Sequence, residues 1–164
     1  MRKFLKFFTF LLIISNITPQ EPQRTLAVLD FEPRGINSLE AATLTDRFTS
    51  EIGKTQAMTL VDRNMVEEIL KEQGFQQSGC TTDECAVEVG ALLGVQFMIS
   101  GSIGKLGDTY TIDAKMVSVE TGASVETRNV TYIGKVDGLV TEIEILAWDI
   151  ICLLYTSPRP RDRG

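Results

Sequence analysis

Hydrophobic positions in the first part of this chain recur as short blocks and helical stripes, and from Phe97 onward they alternate. Thr25 to Phe31 is a short apolar run suited to a buried strand, and Pro33 and Gly35 break it. Asn37, three residues before Glu40, has the spacing of a helix N-cap with a reciprocal carboxylate, and Ala41, Leu44, Phe48 and Ile52 follow as one stripe. Met58 to Val61 is a second short strand. Asn64 and Glu67 repeat the capping spacing, Val66, Ile69 and Leu70 form the stripe, and Gly74 closes the helix. A third helix is expected from about Thr82 to Leu93, burying Cys85, Val89, Leu92 and Leu93 and ending at Gly94.

The period then changes to two. Phe97 to Lys105 reads as a strand that turns at Leu106-Gly107-Asp108. In Thr109 to Val119, Tyr110, Ile112, Ala114 and Met116 share one face, with Thr111, Asp113 and Lys115 on the other. After a turn containing Gly122, Ser124 to Ile133 is a polar strand placed near a sheet edge. A last helix from about Val136 carries Leu139, Ile143, Leu146 and Ile150 on one stripe. The order β-α-β-α-α-β-β-β-α predicts a single α/β (α+β) domain with a mixed sheet packed by helices.

The two ends differ from this body. Arg2, Lys3 and Lys6 precede an apolar run from Phe7 to Ile14, which reads as a signal peptide over residues 1–20, cleaved between Ser15 and Gln20. The run is far short of the roughly 20 residues that span a bilayer, so no stable transmembrane segment is expected after cleavage. The domain is assigned to residues 21–151. From Cys152 the chain becomes a Pro/Arg string without periodicity that resembles translated sequencing-adapter DNA, so residues 152–164 are read as a non-native tail.

Charge excludes one class of partner. Without the two ends the chain carries 10 basic and 21 acidic residues, which repels a phosphate backbone, and nucleic acid is not expected. The chain has no histidine, the commonest general base and metal ligand. Cys80 and Cys85 (C-T-T-D-E-C) read as a disulfide if the chain is exported. Residues five apart on one helix point about 140° apart, so Cys80 must lie in the loop and Cys85 in the first helical turn, with Thr81 as N-cap. Closing so short a loop contributes about 2 kcal/mol. Only two local ligands argue against a metal, and the spacing is not the C-x-x-C of a redox motif. Gly101, Gly104 and Gly107 lie within and after a strand, which is not a phosphate loop. Asp30, and Asp62 with Arg63, end strands and are read as capping or solvated loop charges. No catalytic, cofactor or metal residue is assigned, and no enzyme is expected. In the final helix the stretch from Ile145 to Ile151 is apolar nearly all round, which marks Ile145, Trp148 and Ile151 as a candidate interface.

The segments TLAVLDFEPRG, EAATLTDRFTSEI, LVDRNMVEEILKEQGFQQSGC and ECAVEVGALLGVQFMISGSIGKLGDTYTIDAKMVSVETG together resemble the curli-secretion (CsgG-like) family across Thr25 to Ile151. Relatives in that resemblance include the periplasmic part of the curli export channel, lipoprotein activators of penicillin-binding proteins and the N-terminal domain of TolB. The resemblance implies an exported, periplasmic, outer-membrane-associated protein that acts by binding other envelope proteins or further copies of itself. The channel's membrane strands have no room here: only Lys105 to Thr109 joins the two strands where one insertion would fall. An assembly role is therefore expected, with a secretion-channel subunit and a thiol-redox enzyme as alternatives.

Overall fold

The structure, a computed structural model, describes residues 24–74 and 82–156. Six strands and four helices form one mixed α/β unit: β1 (Thr25–Val28), β2 (Glu32–Arg34), α1 (Ser38–Thr55), β3 (Thr59–Leu60), α2 (Arg63–Glu72), α3 (Asp83–Leu93), β4 (Phe97–Leu106), β5 (Thr109–Ser118), β6 (Ser124–Ile133) and α4 (Leu139–Thr156). A 3₁₀ turn, Val136–Gly138, leads into α4. The sheet order is β3-β1-β4-β5-β6, with β2 also on β4. β1 pairs parallel to β3 and β4, and β4, β5 and β6 form an antiparallel meander.

Local chemistry explains most element boundaries. Asn37 closes a full capping box on α1: its side chain accepts the Glu40 N–H at 2.8 Å, and Glu40 accepts the Asn37 N–H at 3.3 Å. α2 begins two residues earlier than its stripe suggests, because Asp62, not Asn64, is the cap and accepts the Asn64 N–H at 2.8 Å. On α3 the cap is Thr82, not Thr81, and its hydroxyl accepts the Cys85 N–H at 3.2 Å. Gly94 ends that helix in the left-handed conformation, φ 67°. β2 was not expected, since Pro33 reads as a breaker. It runs parallel to β4 with Glu32 beside Ser102 and Arg34 beside Gly104, and Pro tolerates such an edge position. The helical backbone of α4 continues past Ile151 to Thr156.

Two hydrophobic layers hold the sheet. On one face α1 and α4 bury Phe31, Phe48, Ile99, Ile112, Met116 and Ile143 in one cluster. The Phe31 and Phe48 rings lie 5.0 Å apart and tilted. Burying the Phe48 side chain completely contributes about 1.5–3 kcal/mol. The Phe31 N–H, which leaves the ladder between β1 and β2, donates to Thr45 Oγ1 of α1 at 3.1 Å. On the other face α2 and α3 cover β1, the first part of β4 and the end of β5, through Ala27, Leu29, Val66, Val89, Met98 and Val117. Leu92, expected in that layer, is 48% exposed, and Gly90 takes its place against β4.

Candidate interaction surface

The second face is left open where α2 and α3 stop. Alternation places Ser100 and Ser102 of β4, Thr111, Asp113 and Lys115 of β5, and Thr127, Asn129 and Thr131 of β6 on this open half. Beside it lie Glu32 and Arg34 of β2. A shallow depression of about 200 Å³ sits at its centre, with Ser100, Ser102 and Lys115 among its lining residues. The Ser100 and Ser102 side chains are buried, 8% and 5% exposed.

Two ion pairs frame the depression. Arg34 meets Glu32 at 2.7 Å, and Lys115 reaches both carboxylate oxygens of Asp83 at 3.0 and 3.1 Å. Asp83 is the first residue of α3, so the Lys115 contact ties that helix's N-terminus to the middle of the sheet. The carboxylate also suits the positive end of the helix dipole. Both pairs are partly exposed, which makes them orienting contacts rather than a source of much stability. With hydroxyls, one amide and paired charges, this half can form many hydrogen bonds to an incoming surface. No histidine is present to activate either serine as a nucleophile. Among the described residues no group of three or more potential metal ligands converges.

Charge clusters elsewhere are structural ties. Arg63 bridges Asp30 at 2.8 Å, Glu67 at 2.9 Å and Asp46. Burial raises the Asp30 carboxyl above its ordinary range, against the opposing pull of Arg63. Asp30 is therefore an ion-pair partner and Asp62 a helix cap. On the outer side of α1 and α4, Arg47 joins Glu51 at 2.9 Å and Glu144 at 2.5 Å. The hydrogen bond from Lys54 holds the Glu51 carboxyl below its ordinary range, with Arg47 and Trp148 adding to the effect. Lys105, over the Tyr110 ring at 5.0 Å, is raised chiefly by its contact with Tyr110.

The residues singled out in α4 divide. Ile145 and Trp148 are 50% and 43% exposed, but Ile151 is 1% exposed and belongs to the first core cluster, so it is not available as an interface. Its position fell at the end of the readable stripe, where nothing in the sequence distinguished a core contact from an outward one. Cys85 is disulfide-bonded, and Cys80 lies outside the described residues. The open half-face was not singled out from sequence, although Thr111, Asp113 and Lys115 were already placed away from the core. No helix among the described residues is long and apolar enough to cross a membrane.

The fold is similar to solved structures. It matches the LpoB C-terminal domain from Salmonella enterica at a TM-score of 0.57 and 16% identity, over 76% of this chain and 91% of that one. The same domain from Escherichia coli gives 0.58 and 17%, over 76% and 93%. Lipoprotein GNA1162 from Neisseria meningitidis gives 0.58 and 13%, over 81% and 97%. At these identities the likeness establishes the fold. No curated protein matches the chain by sequence. A family model described as "Peptidoglycan-synthase activator LpoB" matches residues 11–127. That match overturns the curli-secretion resemblance and the curli function drawn from it. The motifs quoted for that family lie on strands and helices of a fold shared by several groups, so they did not separate one from another. With residues 11–127 of the 164 inside the match, the chain belongs to the peptidoglycan-synthase activator LpoB family.

Proposed function

We propose that this domain is a non-enzymatic binding module of the bacterial envelope that docks on a peptidoglycan synthase and raises its activity. The family match over residues 11–127 carries the reading. The basic start and apolar run before the domain support export to the periplasm, and the Cys80–Cys85 disulfide would suit that oxidising compartment. We place the synthase contact on the open half-face, which offers hydroxyls and paired charges around a shallow depression. Interfaces of this kind draw their specificity from complementary charge and their affinity from a few central contacts. The exposed Ile145 and Trp148 lie across the sheet, on α4, and provide a second surface for an envelope partner.

The test pairs the purified protein with the peptidoglycan synthase of the same organism. Binding is read by surface plasmon resonance, and glycan polymerisation is followed on a lipid-linked precursor. Faster polymerisation is expected with the native protein, with a reduced effect for Lys115→Glu and an unchanged one for Trp148→Ala. No binding and no stimulation would sink the proposal. Stimulation lost with Trp148→Ala but retained with Lys115→Glu would move the contact to α4.

A further inference from the structure

β6 ends the sheet, and among the described residues no strand pairs with its outer edge. Which backbone groups face outward follows from two hydrogen bonds at the ladder ends. The Val119 N–H donates to the Gln96 carbonyl at 2.9 Å, and the Gly134 N–H donates to the Asp108 carbonyl at 3.1 Å. With the observed registers, the first bond assigns the odd-numbered residues of β5 to β4, and the second assigns the even-numbered ones to β6. The even-numbered residues of β6 therefore point their backbone groups inward, and the N–H and C=O groups of Thr127, Asn129, Thr131 and Ile133 point out. One further contact agrees: the Thr127 carbonyl accepts a bond from the guanidinium of its own neighbour Arg128 at 2.7 Å, as suits a carbonyl that faces away from β5.

This edge is lightly protected. Natural edge strands are blunted by charged side chains, Lys above all, by Pro or by a bulge. The sequence of β6, SVETRNVTYI, has no Lys or Pro, and its guards are Glu126 and Arg128, which pair with each other, and the extra residue Val125 at its start. Val125 and Ile133 are 39% and 74% exposed.

We propose that β6 pairs antiparallel with β6 of a second copy about a two-fold axis through Asn129. Axes on Thr127, Asn129 and Thr131 place a hydrogen-bonded pair at the centre and axes on Arg128 and Val130 a non-hydrogen-bonded one, and all match outward-pointing groups of the two copies. An axis on Arg128 sets two guanidinium groups together, and one on Val130 leaves the exposed Val125 uncovered. The axis at Asn129 pairs Glu126 to Tyr132 across the regular part of the strand. It sets Thr127 opposite Thr131, and brings the exposed Val125 against the exposed Ile133 of the other copy. Cross-strand Thr–Thr and β-branched pairs are favourable. It also places Arg128 opposite Val130 and Glu126 opposite Tyr132, so no like charges face each other. The axis at Thr127 would run through the bulge and leave Ile133 uncovered. Pairing exchanges the Arg128–Thr127 contact for a ladder bond from Thr131 of the other copy. Because the axis is normal to the sheet, the two open half-faces lie on the same side and form one continuous surface.

The experiment is sedimentation equilibrium of the full chain, which involves no synthase and so fails or succeeds independently of the function proposed above. The mass is expected to rise with concentration towards twice the 18.2 kDa of the chain. Asn129→Lys, which sets two ammonium groups side by side at the axis, should weaken dimerisation roughly fivefold or more. Thr131→Pro should leave a monomer with unchanged far-UV circular dichroism, because the N–H it removes points outward. In a Cys152→Ser background, Asn129→Cys should cross-link to itself on oxidation. Thr127→Cys should not, since its two copies would lie about 13 Å apart. A monomer at every concentration, or a dimer insensitive to both Asn129→Lys and Thr131→Pro, overturns the proposal. Self-linking by Thr127→Cys overturns the register and with it the axis.

Discussion

Gly101 sits where the core layer and the open face meet, and replacing it with alanine tests the packing described for both. A Cβ there would lie 2.3 Å from the Asp113 carbonyl oxygen and 3.0 Å from the Phe31 ring. The first neighbour is backbone of the adjacent strand, and the second is a fully packed ring against Phe48. Neither can turn aside as the end of a flexible side chain would. Overpacking of this kind costs about 1–3 kcal/mol. The Asp113 carbonyl also belongs to the ladder pair with Ser102, so its displacement weakens a bond worth about 1 kcal/mol. Against this, alanine restricts the unfolded chain and returns about 0.5–1 kcal/mol. The net loss is then about 1–3.5 kcal/mol, which lowers the melting temperature by roughly 2–14 °C in a chain of this size. Urea unfolding followed by circular dichroism measures it. Gly104→Ala is the control, because its Cβ would meet the rotatable Thr111 hydroxyl at 2.5 Å and should cost less. A Gly101→Ala protein within about 0.5 kcal/mol of the native one would refute the reasoning, as would an equal loss at Gly104.

Arg63→Gln should destabilise by about 1–2 kcal/mol at neutral pH, since it strips the half-buried Asp30 of its counter-charge. The folded-state pKa of Asp30 already lies above its unfolded value, so the protonated form favours folding at low pH and that advantage is lost as pH rises through the folded pKa. Removing Arg63 raises that pKa further, and the deficit in urea unfolding should therefore shrink on acidification; a deficit independent of pH would rule this account out. Reduction of the disulfide at Cys85 should cost about 2 kcal/mol if Cys80 closes the short loop, measured as the change in urea midpoint with and without reductant. An unchanged midpoint would mean that the loop adds nothing to α3.

Elements that form from their own residues were legible in the sequence. The Asn37–Glu40 capping box, the alternation of Tyr110 to Met116, and the bounds of β6 all appear where the pattern put them. What was not legible depended on contacts from elsewhere. β2 exists because β4 offers Ser102 to Gly104 as a partner, which overrides Pro33. Asp62 rather than Asn64 caps α2, although either side chain could do so in isolation. Leu92 lost its core position to Gly90, whose missing side chain lets α3 approach Met98 and Val119. The alternation identified the polar positions of β5, but an outward polar residue is the ordinary solvated case. It became a candidate surface once the positions of α2 and α3 showed which half of the sheet stays uncovered.

That half is uncovered for a topological reason. α1 lies between β2 and β3 and α4 follows β6, and together they cover one face from Phe31 to Val130. The other face receives only α2 and α3, which are 10 and 11 residues long and both fall between β3 and β4. A helix joining two strands packs near those strands, so this pair covers β1, the start of β4 and the Val117 end of β5, and leaves the rest of β5 and β6 open. The three long strands of the meander must then present a solvated face, and their Ser, Thr, Asn and paired charges meet that requirement. The same order leaves β6 last in the sheet, with its outer edge unpaired among the described residues. One arrangement thus creates a broad polar face and an open ten-residue edge beside it. A substitution at Lys115 perturbs the face alone, whereas one at Asn129, whose side chain lies on that face and whose backbone lies on the edge, perturbs both. Loss of synthase binding at Lys115 with association of two copies intact would therefore separate the two in a protein that keeps its core.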